Sequence, residues 1–418
     1  MKFILAAMTA TLAAAPVMAA ETDGLILPPG FHASVVADGL TGVRHLAFGA
    51  NGTLYVSTQV GANATPVGIY ALHLNAQHKA DKTEKFGTVN AGTGIRVYKG
   101  YLYAADHTSV VRYKLGATGV PAGEPEVVIS GMAAAGSGTH PIAFDGKGNL
   151  FVSLDGSGNT CVDPNAPKDA RPLGLKPCPG LNGRGGVWRF SDSKTGQKFP
   201  ADGEQWATGV RNMGALDWSA ATGALYGATH GRDTTHDQFP TLISAADDDA
   251  IGDEMHRITK GSNLGWPFTY WDAVRKVRLT GPEYGGDNKT AADASIYDTP
   301  VAGFAPKRVA PLDLVIYNGT QFPRQYRGGA FIATHGTNGP QIPGGHGGYN
   351  VIFVAIDRNG DTKAPVVFAD GFAGPTNDDK YTGHAAYRPV GEAVAADGSL
   401  YVAESNKGRI WRISYSGK

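Results

Sequence analysis

Cysteine is nearly absent: the 418 residues contain only Cys161 and Cys178. Two thiolates without nearby histidines leave a tetrahedral zinc set incomplete, so a cysteine-based zinc site is not expected. Net charge is missing as well. Lys+Arg and Asp+Glu both number 37, and no basic run or basic-aromatic patch breaks the balance. Nothing general therefore draws the chain to nucleic acid or an anionic membrane. After the first twenty residues no apolar run approaches the roughly 18 residues that a membrane helix needs. No Gly/Ser-rich linker divides the chain, so residues 21–418 are expected to form one domain.

Turn-forming residues are plentiful, with Gly 58 and Pro 25, and 42% of the chain is apolar, enough for a substantial core. At the N-terminus Lys2 precedes an apolar run from Phe3 to Ala15, then Pro16-Val17-Met18-Ala19-Ala20. A charged start, a short apolar stretch and small residues are the pattern of a secretory signal removed near residue 20. The expected location is periplasmic or secreted. Cys161 and Cys178 lie in a Pro-rich segment. In an oxidising compartment they are expected to pair, a bridge of about 3 kcal/mol by loop entropy.

One phrase returns along the chain. LAFGANGTLYVST (Leu46 to Thr58) is matched by IAFDGKGNLFVSL (Ile142 to Leu154), LDWSAATGALYGATHG (Leu216 to Gly231) and EAVAADGSLYVAES (Glu392 to Ser405). Each is an alternating apolar strand, a turn with Gly, then Leu-aromatic and a second strand. Degenerate copies run from Ile95 to Tyr113 and from Leu312 to Gly336, making six. Third strands follow several copies, among them GGVWRFS, DEMHRITK, YNVIFVAID and GRIWRISY. The copies stand at unequal intervals, roughly 45 to 95 residues, too irregular for a uniform solenoid. The fold class expected is therefore all-β: a six-bladed β-propeller of four-stranded antiparallel blades. FHASVVA (Phe31 to Ala37) has no hairpin partner nearby. It is expected to complete the blade ended by GRIWRISY and close the ring, hiding two sheet edges.

In a propeller the residues just before each innermost strand converge on the central channel. Before the copies stand Arg44-His45, His140, Arg211-Asn212 and Arg388. After several stand His107, His230 with Arg232-Asp233, His335 and Glu404. Three arginines at blade entrances point to an anionic ligand, because the planar guanidinium grips carboxylates bidentately. Pairing of each arginine with a neighbouring blade's Asp or Glu is the competing reading. Asp253-Glu254 opens a strand, where either carboxylate could serve a metal or bond backbone amides.

Taken together, RN-x-x-x-L-x-W (from Arg211), HGRD (from His230), GDE-x-x-R-x-x-x-G-x-N-x-GWP (from Gly252), FP-x-x-YRGGAFIA-x-HG (from Phe322) and RPVG-x-A-x-x-DGSLYVAE (from Arg388) resemble the glucose/sorbosone dehydrogenase family. The likeness covers almost the whole mature chain. It is greatest to the sorbosone-dehydrogenase-like branch, where a two-cysteine insertion follows the third copy. The resemblance implies an exported quinoprotein that oxidises an aldose or sorbosone-like hydroxy-aldehyde. Hydride would pass to pyrroloquinoline quinone (PQQ) with Ca²⁺ as Lewis acid, and electrons onward to a cytochrome or quinone. It also implies roles for particular residues. His140 would be the catalytic base, although the branch's histidine aligns with Ser137 and His140 with a basic neighbour. Arg211, Asn212, His335 and Arg388 would bind PQQ, joined by Arg44 from its blade entrance, and Gly231 and Arg232 would offer backbone oxygens to Ca²⁺. The branch usually carries Trp-Asn-Arg after the His-Gly that matches His335-Gly336; HGTNGPQ lacks both Trp and Arg. Two alternatives stay open: a non-catalytic or repurposed binding propeller, and a metal-dependent lactonase-type hydrolase, which would need clustered acids.

Overall fold

The computed structural model describes residues 22–60, 65, 67–121, 123–133, 140–163, 165–170, 173–304, 306 and 308–417. The N-terminal apolar run and Ser137 lie outside the described residues. Six blades of four antiparallel strands form a six-bladed propeller; a short parallel strand extends each of two of them.

Blade 1 is Val43–Phe48, Leu54–Thr58, Ile69–Leu74 and Ala80–Phe86, and blade 2 is Ile95–Tyr98, Tyr101–Ala105, Ser109–Lys114 and Glu126–Ser130. Blade 3 is Ile142–Phe144, Asn149–Leu154, Gly186–Ser191 and Glu204–Thr208; blade 4 is Met213–Ser219, Ala224–Thr229, Asp253–Ile258 and Ala302–Phe304. Blade 5 is Pro311–Ile316, Ala330–Thr334, Asn350–Val354 and Val366–Ala369. Blade 6 is Pro389–Val394, Leu400–Glu404 and Ile410–Tyr415, with Phe31–Ala37 as its outer strand. The N-terminal strand thus pairs antiparallel with the last one, Phe31 opposite Tyr415, as the sequence predicts.

The first strand of every blade packs against the first strands of both neighbours, which closes the ring about an axis. Second strands are buried throughout, as in Leu54–Thr58 and Ala330–Thr334. The outer strand of blade 1, Ala80–Phe86, is polar on the side that meets water. An apolar cluster fills each junction between blades. Between blades 5 and 6, for example, Phe331, Phe353 and Phe368 meet Phe31 and Trp411. The hairpin turns need a residue in the left-handed region, supplied at Gly52 (φ 83°) and Gly148 (φ 107°).

Antiparallel order puts the start of each first strand and the end of each second strand on one face. The long insertions lie on that face too. Residues 155–185 interrupt blade 3 and carry the Cys161–Cys178 disulfide, with Cα atoms 6.0 Å apart. Residues 230–252 interrupt blade 4 and hold two short helices, Thr235–Gln238 and Ala245–Ala250. Among the described residues no helix is long and apolar enough to cross a membrane.

Candidate active site

Arg44 is the second residue of the first strand of blade 1 and Arg388 directly precedes that of blade 6. The Arg388 guanidinium donates to the carbonyls of His335 (2.9 Å) and Gly336 (2.6 Å) and lies 5.2 Å from the centre of the Tyr349 ring. No carboxylate pairs with it among the described residues. Arg44 has no hydrogen bond or ion pair to any described residue. Burial, and then the nearby Arg388 charge, push its pKa down to about 10. Two guanidinium groups that repel each other without counter-ions form an uncompensated positive patch, which a protein interior tolerates only at a cost.

His335 follows the second strand of blade 5 and shares this patch. Burial, then the charges of Arg388, Arg44 and His230, hold its pKa well below the ordinary value. Its Nε2 is 2.9 Å from the Ser405 hydroxyl. With Nε2–H donating to that oxygen, Nδ1 is the proton-accepting atom. His230, after the second strand of blade 4, is held by the Pro311 carbonyl, 3.0 Å from its Nε2.

A cleft of about 270 Å³ opens beside His230, lined by Arg211, Asn212, Asp233, Asp155 and the segment from Gly156 to Asn159. Arg211 pairs with Asp233 at 2.5 Å. The Asp155 carboxylate accepts from the Asn212 side chain (2.8 Å) and the Met213 amide (2.9 Å). Asn159 exchanges hydrogen bonds with the backbone of Asp233, and its own carbonyl accepts from the Trp266 indole. Trp266 packs on the buried disulfide, so the bridged insertion forms one wall of the cleft.

The other candidates are placed differently. His140 is fully buried, with Nδ1 3.2 Å from the Ser153 carbonyl and Nε2 3.1 Å from the His107 carbonyl. Both ring nitrogens face acceptors, and no described contact joins His140 to the arginine patch. The Arg232 side chain points away from the cleft, into a buried ion pair with Glu283 at 2.8 Å. Its carbonyl, expected to face Ca²⁺, accepts from Arg308 Nη1 at 2.7 Å. The Gly231 amide donates to Asp253, whose other oxygen accepts from the Val309 and Ala310 amides at 2.7 Å each. Asp253 therefore serves backbone amides, and Glu254 serves Arg278 and His256. Among the described residues no three His, Cys, Asp or Glu side chains form a group that could hold a metal ion. The donor set at Gly231-Arg232 does not fit Ca²⁺, because a guanidinium already occupies it. The patch of Arg44 and Arg388 does fit a group bearing several carboxylates.

Asp155 and Arg308 are not named in the sequence reading, yet both follow its positional rule, whereas Asp233 is named there only as a neighbour of His230 and without a role. Asp155 directly follows a second strand, as His230 and His335 do, and Arg308 stands just before a first strand, as Arg211 does. What the sequence does not give is the pairing of Asp233 with Arg211, which only the folded insertion creates.

The family model described as TrAA12-like matches residues 25–416. Among solved structures, the holo form of the pyranose dehydrogenase PQQ domain from Coprinopsis cinerea is 18% identical with TM-score 0.74, over 93% of this chain and 97% of that one. A calcium structure of the Trichoderma reesei carbohydrate-active enzymes family AA12 is 16% identical with TM-score 0.74, over 96% and 99%. The PQQ-bound aldose sugar dehydrogenase from Streptomyces coelicolor is 19% identical with TM-score 0.57, over 94% and 100%. At these identities the likeness is one of fold. An uncharacterized protein of Borreliella burgdorferi is 27% identical over 215 residues, 50% of this chain. That match spans 48%, about half, of the relative's length.

Proposed function

The chain belongs to the TrAA12-like family, and from that premise we propose that it is an exported oxidoreductase that oxidises an aldose or related hydroxy-aldehyde with PQQ as the acceptor. One observation carries the reading: Arg44 and Arg388, without carboxylate partners, meet His335 on the face where blade entrances converge. The disulfide and the N-terminal apolar run support export to the periplasm or beyond.

PQQ, when bound, supplies a quinone that takes two electrons as hydride from the sugar carbon. The rest falls to residues of this chain. Arg44 and Arg388 bind carboxylates through charge-assisted hydrogen bonds, which are stronger than neutral ones. Arg211, aligned by Asp233, and Asn212, aligned by Asp155, flank a cleft of about 270 Å³ that offers polar groups to a sugar ring. His335 accepts the sugar hydroxyl proton at Nδ1 while Ser405 fixes the ring through Nε2. We assign the base to His335 in preference to His140, whose nitrogens both face backbone carbonyls. Electrons then leave for an external acceptor, a cytochrome or quinone.

The test uses the purified mature protein, PQQ and a panel of aldoses, with dye reduction as the readout. Saturable, PQQ-dependent dye reduction is expected. A PQQ-induced absorbance change without turnover of any sugar would instead mark a binding propeller. Absence of both would remove PQQ from the account.

A further inference from the structure

Arg308 stands three residues before Pro311, where the first strand of blade 5 begins, and four oxygen atoms gather on its guanidinium. Nη1 donates to the carbonyls of Arg232 (2.7 Å) and Asp248 (3.1 Å). Nη2 donates to the Asp248 carboxylate at 3.0 Å, and Nε lies 3.4 Å from the Asp233 carboxylate. The Arg308 and Asp248 side chains are each 13% exposed. Carboxylate and carbonyl oxygens from separate segments are the donor set of a hard divalent ion such as Ca²⁺. Here a planar cation with five donors takes it up.

The charges also balance. Asp233 and Asp248 contribute two negative charges. Arg308 and Arg211, which pairs with Asp233 at 2.5 Å, contribute two positive ones. No excess negative charge is left to draw in a divalent ion, and the Arg232 carbonyl is already engaged. We propose that the Arg308 guanidinium takes the place of a divalent cation beside the cleft, so that the anionic ligand binds without Ca²⁺. In this position Arg308 is a positioning residue. It ties the segment after His230 to the short helix Ala245–Ala250 and keeps the cleft wall in register. The consequence for ligand binding rests on the reading of the channel mouth as a PQQ site; the consequence for Ca²⁺ does not.

Two measurements on chelator-treated protein separate the two. The first is the thermal shift induced by PQQ, in EDTA and in CaCl₂. Equal shifts, with affinities within about twofold, are expected; a shift that requires CaCl₂ overturns the proposal. No shift in either condition would defeat the PQQ reading alone, and the second measurement then decides. That is calorimetric titration with CaCl₂ of wild type, Arg308→Met and Asp248→Asn. Wild type is expected to show no Ca²⁺ binding that depends on Asp248, and Arg308→Met, with one cation fewer, to gain it. Stoichiometric Ca²⁺ binding by wild type that Asp248→Asn abolishes overturns the proposal. Wild type and Asp248→Asn decide the matter even where Arg308→Met fails to fold.

Discussion

His335 has two tasks that pull its pKa in opposite directions. Burial and the charges of Arg388, Arg44 and His230 hold it well below the ordinary imidazole value. A polycarboxylate bound to the arginines would cancel much of that repulsion and let the pKa climb back toward the ordinary 6.5, near the working range of a general base. The bound state then holds more protons than the free state between those two values. Ligand binding must therefore take up a proton and tighten as the pH falls through that interval. Calorimetry of PQQ binding in buffers of different ionisation enthalpy measures the uptake. His335→Asn is expected to remove it, whereas Arg388→Ala should weaken binding by roughly 10- to 100-fold, the worth of a hydrogen bond to a charged group. Equal proton uptake by wild type and His335→Asn would assign the titration to another residue. At this scale the sequence tells where a side chain starts but not where it ends. Strand boundaries put Arg44, Arg388 and His335 on one face. Nothing local says that the neighbouring Arg232 turns away, because its partner Glu283 lies 51 residues later, in an insertion.

Elements divide the same way. The hairpins were legible because alternation and turn glycines are local. The ring closure was legible because an unpartnered strand at one end needed an unpartnered edge at the other. The insertions were not, since their packing depends on side chains that meet only in the folded protein. Residues 155–185 are held by Trp266 on Asn159 and by the Leu173 and Gly174 amides on the Glu283 carbonyl. Glu283 joins both parts of this wall: its backbone holds the disulfide insertion and its carboxylate holds Arg232. Both charges are almost completely buried, at 2% and 0% exposure. Removing one would strand the other in a low-dielectric site. Arg232→Met is therefore expected to cost about 3–5 kcal/mol in denaturant unfolding, and Arg232→Met with Glu283→Leu appreciably less than the sum of the singles. An additive double variant would show that the pair is not coupled.

The whole molecule has a second charged centre, on the axis of the ring. His45, Arg96, Asp217, Asp313 and Glu392 come from the innermost strands of blades 1, 2, 4, 5 and 6. His45 lies 3.6 Å and Arg96 3.9 Å from the Asp313 carboxylate, whose other oxygen accepts from the Glu392 amide. Burial dominates here. It raises Asp313 to about 7 and Glu392 well above the usual range, and with the Arg96 charge lowers His45 to about 3. The consequences for stability oppose each other. Asp313, with its folded pKa raised, contributes stability that is complete below its unfolded value of 3.8 and is lost as the pH rises toward about 7. His45, with its folded pKa lowered, contributes stability that is complete above 6.5 and is lost as the pH falls toward about 3. Over the shared interval the two slopes have opposite signs and similar size, at most about 1.4 kcal/mol per pH unit each. Glu392, its folded pKa also raised by burial, adds a decline of its own as the pH rises above its unfolded value. Wild type therefore shows only the net of opposed titrations, which single variants separate. Relative to wild type, Asp313→Asn is expected to have a more positive slope of stability against pH between about 4 and 6.5, and His45→Gln a more negative one. Urea unfolding across that range measures both slopes. Parallel profiles for the three proteins would mean that these groups titrate alike folded and unfolded, and that burial on the axis does not govern their charge.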